Sequence, residues 1–191
     1  MKNINKLPKG FSLLEILVSL SLFAFAILLV NSMYSLSQKT YNKGANKGEL
    51  VQNARVSLDR MGRELRQAID IVTVLPATDS DPLNPPANEI LFQDGHDISQ
   101  ITYLRYYLDG ADLKRSHIAY YFSSDPGIYV THDSLDQDGY SPEELIIEDR
   151  IVGEYFSGLQ FWGSSSLVYI SLTLEKNQDS ISMDTSVFRR N

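Results

Sequence analysis

The sequence predicts an α+β protein. One long N-terminal α-helix, membrane-spanning in its first half, should pack on a C-terminal antiparallel β-sheet. Three observations carry that expectation. From Phe11 to Val30 about twenty residues hold a single charge, Glu15, and that length lets a helix cross a bilayer. Farther on, Leu50, Ala54, Leu58, Met61, Leu65, Ala68, Ile69 and Val72 recur every three to four residues, the period of one apolar helix stripe. After a proline-rich break the apolar period becomes two, as in strands with one covered face.

Residues 1–10 read as a leader. Lys2, Lys6 and Lys9 lie there with no acid among them. The positive-inside bias therefore keeps this end in the cytoplasm and sends the remaining about 160 residues across the membrane. Residues 11–30 form the span, and within it a carboxylate is costly, so Glu15 is a functional candidate. Residues 31–75 read as an amphipathic continuation of the helix. Gly44 and Gly48 each weaken it by about 1 kcal/mol relative to alanine, but no proline interrupts it. The stretch is either an exposed continuation or a segment that unwinds when subunits pack. Asp59 and Arg63 stand at the supportive i,i+4 spacing. A single helix from Phe11 to Leu75 would be about 98 Å long.

Pro76 to Asn88 contains four of the seven prolines and ends the helix. Residues 76–191 then read as a globular β-rich domain. Glu89 to Gln93 is long enough only for a strand. Ile101–Leu108 and Asp112–Phe122 flank Asp109-Gly110, a strong hairpin-turn pair. Leu145–Val152, Tyr155–Trp162, the alternation from Val168 to Leu174 and that from Ile181 to Val187 supply four more strands.

The 17 basic and 24 acidic residues give a net charge of −7. Without the three leader lysines the side chains stand at 14 against 24, or −10. That balance disfavours a general nucleic-acid binder, and no basic stripe with interleaved aromatics is present. There is no cysteine, so no disulfide supports the domain and its core must hold it alone.

Lys9-Gly10-Phe11-Ser12-Leu13-Leu14-Glu15 resembles the cleavage and methylation motif of type IV prepilins and type II secretion pseudopilins. The resemblance implies cleavage between Gly10 and Phe11 by a prepilin peptidase, N-methylation of Phe11, and a role for Glu15 in assembly. Gln52 to Arg55 and Arg63 to Ala68 also resemble the second half of the helix in PilW-type minor pilins and GspJ-type pseudopilins. A pilin-like fold, a filament subunit that initiates or caps its filament, and no enzymatic activity are then expected. The implied partners are the peptidase, other major and minor pilins, an inner-membrane assembly platform, and the lipid bilayer before assembly. The expected location is the inner membrane, with one span and an extracytoplasmic C-terminal domain, then a pilus or pseudopilus. The chain departs from the many pilins that close a C-terminal loop with a disulfide. Three other readings are a signal anchor that is never cut, an adhesin or ligand-binding module on a pilin stem, and a secreted domain released after Ala24-Phe25-Ala26 by ordinary signal peptidase.

Within the domain, His96, His117 and His132 show no metal-ligand spacing. His132-Asp133-Ser134 places triad residue types side by side, which is not how triads are built. Tyr103, Tyr106, Tyr107, Tyr120, Tyr121 and Tyr129 are either a sugar-binding platform or strand formers with wet hydroxyls. One loop has cation-ligand spacing. Ser134, Asp136, Asp138 and Tyr140, with Glu143 or Glu144 closing, match the opening of a calcium loop, Gly139 permitting the turn. Leu145 occupies the place of the usual closing glutamate, so any calcium site would be weak.

Overall fold

The computed structural model describes residues 12–96 and 99–190. They form one helix and eight strands in the order α1 (Leu13–Gln67), β1 (Ile90–Gln93), β2 (Thr102–Asp109), β3 (Asp112–Phe122), β4 (Asp125–Val130), β5 (Glu143–Gly153), β6 (Phe156–Gly163), β7 (Leu167–Lys176) and β8 (Asp179–Phe188). The chain divides into two compact units, Met1–Ala45 and Asn46–Asn191. The expected α+β arrangement of a long apolar N-terminal helix followed by antiparallel strands is present.

In the first unit the apolar helix is bare. Leu13, Leu14, Leu20, Phe23 and Leu28 are each more than 60 % exposed. A helix apolar on all sides belongs inside lipid or a larger assembly. One of its polar side chains is satisfied locally: the Ser21 hydroxyl donates to the Leu17 carbonyl at 2.8 Å, as serine does in apolar helices. The helix runs unbroken through Gly44 and Gly48, and neither glycine has an atom within 4 Å of where a Cβ would stand.

In the second unit α1 buries Leu50, Ala54, Ser57, Met61, Gly62 and Leu65. Each large apolar side chain removed from water stabilises the fold by about 1.5–3 kcal/mol. The expected stripe is largely present, but Ser57 is buried and Leu58 only partly. Packing against β5 explains the substitution. An added Cβ at Gly153 would lie 2.9 Å from Ser57 Oγ and 2.6 Å from a ring carbon of Phe156, so this contact admits only small groups. The compact unit starts at Asn46, inside the helix.

The helix ends at Gln67, not at Leu75. Ile69, Ile71, Val72, Thr73 and Val74 are β-branched and prefer extended backbone. Here β1 gives them partners. The Ile69 N–H donates to the Gln93 carbonyl at 3.0 Å, the Gln93 N–H to the Asp70 carbonyl at 2.8 Å and the Val72 N–H to the Leu91 carbonyl at 2.9 Å. Gly95 closes this junction, since a Cβ there would collide with the Gln67 carbonyl oxygen.

The strands make two antiparallel sheets, where a single one was expected. The first has the order β1-β2-β3-β4, with β5 on the other edge of β3; the second is β6-β7-β8. They meet along a seam in which Ala87 exchanges two backbone bonds with Phe161 (2.9 and 2.8 Å) and the Phe156 N–H donates to the Ala111 carbonyl. The predicted hairpin joins β2 and β3, with Gly110 at φ +63°. The β7–β8 turn uses Asn177 and Gln178, both at positive φ, as a two-residue hairpin of this hand requires. β4 was not expected, because Pro126 and Gly127 argue against a strand; an edge position, which β4 has, tolerates proline. β5 pairs with β3 alone and carries two irregularities, so that Ile147 and Val152 have no partner in the ladder.

Leu104, Tyr106 and Leu113 of the first sheet join Phe161, Ile170, Leu172 and Leu174 of the second and the helix residues in one core. A charged cluster sits inside this packing. Glu64 accepts the Tyr106 hydroxyl at 2.6 Å and Arg115 Nε at 3.0 and 3.1 Å on its two oxygens. Glu64 and Arg115 side chains are only 12 % and 13 % exposed. Burial weakens the Arg115 charge, and the Glu64 carboxylate more than offsets that, so its pKa rises.

Candidate processing and assembly site

Gly10 and Phe11, where cleavage is expected, lie outside the described residues. The described chain opens on Ser12, which caps α1. Its carbonyl accepts the N–H groups of Glu15 and Ile16 at 3.0 and 3.2 Å, and its hydroxyl oxygen accepts the Leu14 N–H at 3.3 Å. Serine is favoured here because it satisfies donors that the first helical turn leaves free. Ser12-Leu13-Leu14-Glu15 is thus a capping-box sequence, with Glu15 at the third helical position. The reading of the sequence missed this second role of Ser12 and Glu15, although the S-x-x-E spacing announces it.

Glu15 is exposed and lines a shallow groove on the helix with Ile16, Ser19, Leu20 and Phe23. No hydrogen bond or ion pair to its carboxylate forms among the described residues. The first helical turn favours a negative charge through the helix dipole, worth about 0.3–1 kcal/mol. That is small beside the cost of an unpaired carboxylate in hydrocarbon. The arrangement therefore offers an external cation a well-held acid at the start of an apolar helix.

Of the six candidate calcium ligands, Asp136, Tyr140 and Glu143 line one cavity, and each of these acids already has partners within the chain. Asp136 closes its own loop: Oδ1 accepts the N–H groups of Asp138 (2.9 Å) and Tyr140 (2.8 Å), while its own N–H donates to the Tyr140 carbonyl (3.0 Å). Ser134 pairs with Thr131 at 2.7 Å. Glu143 accepts the Ser123 and Tyr121 hydroxyls, and Glu144 meets Arg105 at 3.1 Å. As neighbours on β5 the two glutamates point to opposite faces. The cavity that Asp136, Tyr140 and Glu143 share with Ser123 and Ser124 has a volume of about 370 Å³. Among the described residues no three His, Cys, Asp or Glu side chains converge as metal ligands. The chain satisfies this loop from within, with Gly139 at φ +83° making the bend.

Two of the six tyrosines are withdrawn from any platform, while Tyr107, Tyr120, Tyr121 and Tyr129 are half-buried. Tyr103 and Tyr106 are 1 % and 0 % exposed, and Tyr106 spends its hydroxyl on Glu64. Tyr103 stands edge-on to Tyr120 at 5.1 Å and to His132 at 5.7 Å, and its hydroxyl accepts the His132 N–H. Burial pushes the Tyr103 phenol upward. This is a small second core on the far face of the first sheet. His132 and Asp133 are 4.0 Å apart, and Ser134 faces Thr131 instead of them.

A family model described as the prokaryotic N-terminal methylation motif matches residues 5–31. No curated protein and no solved structure matches the chain significantly. The match covers Gly10, Phe11, the Ser12 cap, Glu15 and the bare apolar helix through Val30. α1 is also long and apolar enough to cross a membrane.

Proposed function

We propose that this chain is a minor pilin or pseudopilin, a structural subunit that a prepilin peptidase processes and that then enters a helical filament. The methylation motif supports a type IV pilin-like or pseudopilin subunit and a structural role. That motif, running directly into an apolar helix without protein cover, is the observation that carries the reading. Processing by prepilin peptidase and assembly with other pilins follow from it. The finer reading, PilW-like or GspJ-like and initiating or capping the filament, rests on the helix sequence Gln52 to Ala68.

Before assembly the subunit resides in the inner membrane with its lysine-rich end in the cytoplasm. In the filament the apolar helix exchanges lipid for neighbouring helices. A new N-terminal amine at Phe11 carries a positive charge, and Glu15 of an adjacent subunit would offset it. Mass spectrometry of the mature chain tests the processing: an N-terminus at methylated Phe11 is expected, and a chain beginning at Met1 or Ile27 would overturn it. Glu15→Leu should leave membrane insertion intact and reduce incorporation into filaments. Wild-type incorporation would refute the pairing.

A further inference from the structure

The last turn of α1 and the end of β8 enclose a pocket of about 490 Å³ lined by Arg63, Arg66, Gln67, Ser186, Phe188 and Arg190. A backbone bond from the Arg190 N–H to the Arg66 carbonyl, 3.0 Å, holds its two sides together. Three guanidinium groups thus share one concave site in a chain with seven more acids than bases.

After the helix this chain neutralises nearly all of its cations. Of the seven basic residues after the helix, six meet a carboxylate: Arg105 with Glu144, Lys114 with Asp109, Arg115 with Glu64, Arg150 with Glu148, Lys176 with Glu49 and Arg189 with Asp70. Among the described residues Arg190 has no such partner, and on the helix Arg66 has none. Arg63 reaches only Asp59, at 3.4 Å, with both side chains about two-thirds exposed. An ion pair so exposed contributes little and exchanges readily. The negative end of the helix dipole offsets part of the repulsion at Arg66. It does not supply the oxygen acceptors that planar guanidinium forks match. Beside them Phe188 is 70 % exposed, a large apolar ring with no cover.

We propose that this pocket binds an acidic polypeptide segment, one in which Glu or Asp residues flank a large apolar side chain. The carboxylates would take the forks of Arg66 and Arg190, and the apolar side chain would cover Phe188. A small inorganic anion would leave the ring exposed. A nucleic-acid strand would bring many phosphates against a surface that is acidic outside the pocket. The local positive field of the three guanidinium groups attracts a short acidic segment that the acidic surface elsewhere repels. The proposal is independent of processing and filament entry.

The test uses the full chain in zwitterionic detergent and a fluorescent, end-capped Glu-Phe-Glu-Glu peptide. Binding should weaken with added salt. Arg66→Gln with Arg190→Gln should reduce affinity at least about tenfold, and Phe188→Ala about threefold or more, with unfolding midpoints unchanged because all three side chains are exposed. The matching Gln-Phe-Gln-Gln peptide should not bind. Binding by the double variant within about twofold of wild type overturns the proposal. So does competition by inorganic phosphate or oligothymidylate at lower concentration than the unlabelled acidic peptide.

Discussion

Replacing Glu64 by glutamine would strand the Arg115 charge inside the protein while keeping the shape of the side chain. Removing one partner of a fully buried pair costs about 3–5 kcal/mol. Here 12–13 % exposure and the second carboxylate of Glu148, 3.7 Å from Arg115, bring that toward about 2 kcal/mol. The Tyr106 hydroxyl would exchange a charged acceptor for a neutral one, a further loss of about 1 kcal/mol. The expected total is about 3 kcal/mol. For a domain of this size that lowers the melting temperature by roughly 6–12 °C. Urea unfolding followed by near-ultraviolet circular dichroism measures it, with Glu64→Met, Arg115→Met and the double variant completing a cycle. The double variant should recover most of the loss, because two apolar side chains leave no stranded charge. A Glu64→Gln midpoint within about 0.5 kcal/mol of wild type, or a Met pair as unstable as the worse single variant, would refute the reasoning.

Burial, then the Glu64 charge, pushes the Tyr106 phenol far above its usual range. The folded state thus favours the neutral phenol, and stability that is complete below about pH 10 is lost as pH rises past the unfolded phenol's pKa. Tyr106→Phe should cost about 1 kcal/mol at pH 7 and make the alkaline decline shallower; an unchanged alkaline slope counts against it. Ser57 Oγ is buried without a hydrogen-bond partner, so Ser57→Ala should be neutral or stabilising by up to about 1 kcal/mol. Gly153→Ala, which forces a Cβ against Phe156, should lose about 1–3 kcal/mol in the same denaturation assay. Asp136→Ala should cost about 1 kcal/mol in calcium and in chelator alike, because the carboxylate serves backbone donors. A wild-type melting temperature raised by millimolar calcium and unchanged in the variant would restore the cation reading.

Much of the fold was legible because it is written locally. The buried positions Leu50, Ala54, Met61 and Leu65 follow from helical spacing alone, and the β2–β3 hairpin from Asp109-Gly110. What was not legible depends on distant partners. The stop at Gln67 needs β1 to receive Ile69 to Thr73; by spacing alone Ile69 and Val72 extend the helix stripe. Two sheets and one sheet have the same alternation, and only the pairing of β6 with β7 instead of with a strand of the first sheet distinguishes them. Ser57 replaces Leu58 on the buried face because Gly153 lies opposite, ninety-six residues away. Of the candidate site, Glu15 and its motif could be read directly, whereas the Ser12 cap was readable and overlooked. The acidic loop has the spacing of a cation site, and backbone donors that are invisible in sequence take up one oxygen of the Asp136 carboxylate.

The free edge of β5 has a bearing on how this protein behaves when concentrated. Leu145, Ile146, Ile147 and Ile151 are 39–53 % exposed on a strand with one side unpaired, a combination that invites fibril growth. The extra residues at Ile147 and Val152 break the even spacing of donors and acceptors, so an incoming strand would lose register within a few residues. Glu143, Glu144, Glu148 and Asp149 would also repel a second copy of the same edge. Wherever the protein is concentrated, this edge is thereby guarded against sticking to a second copy through its sheets.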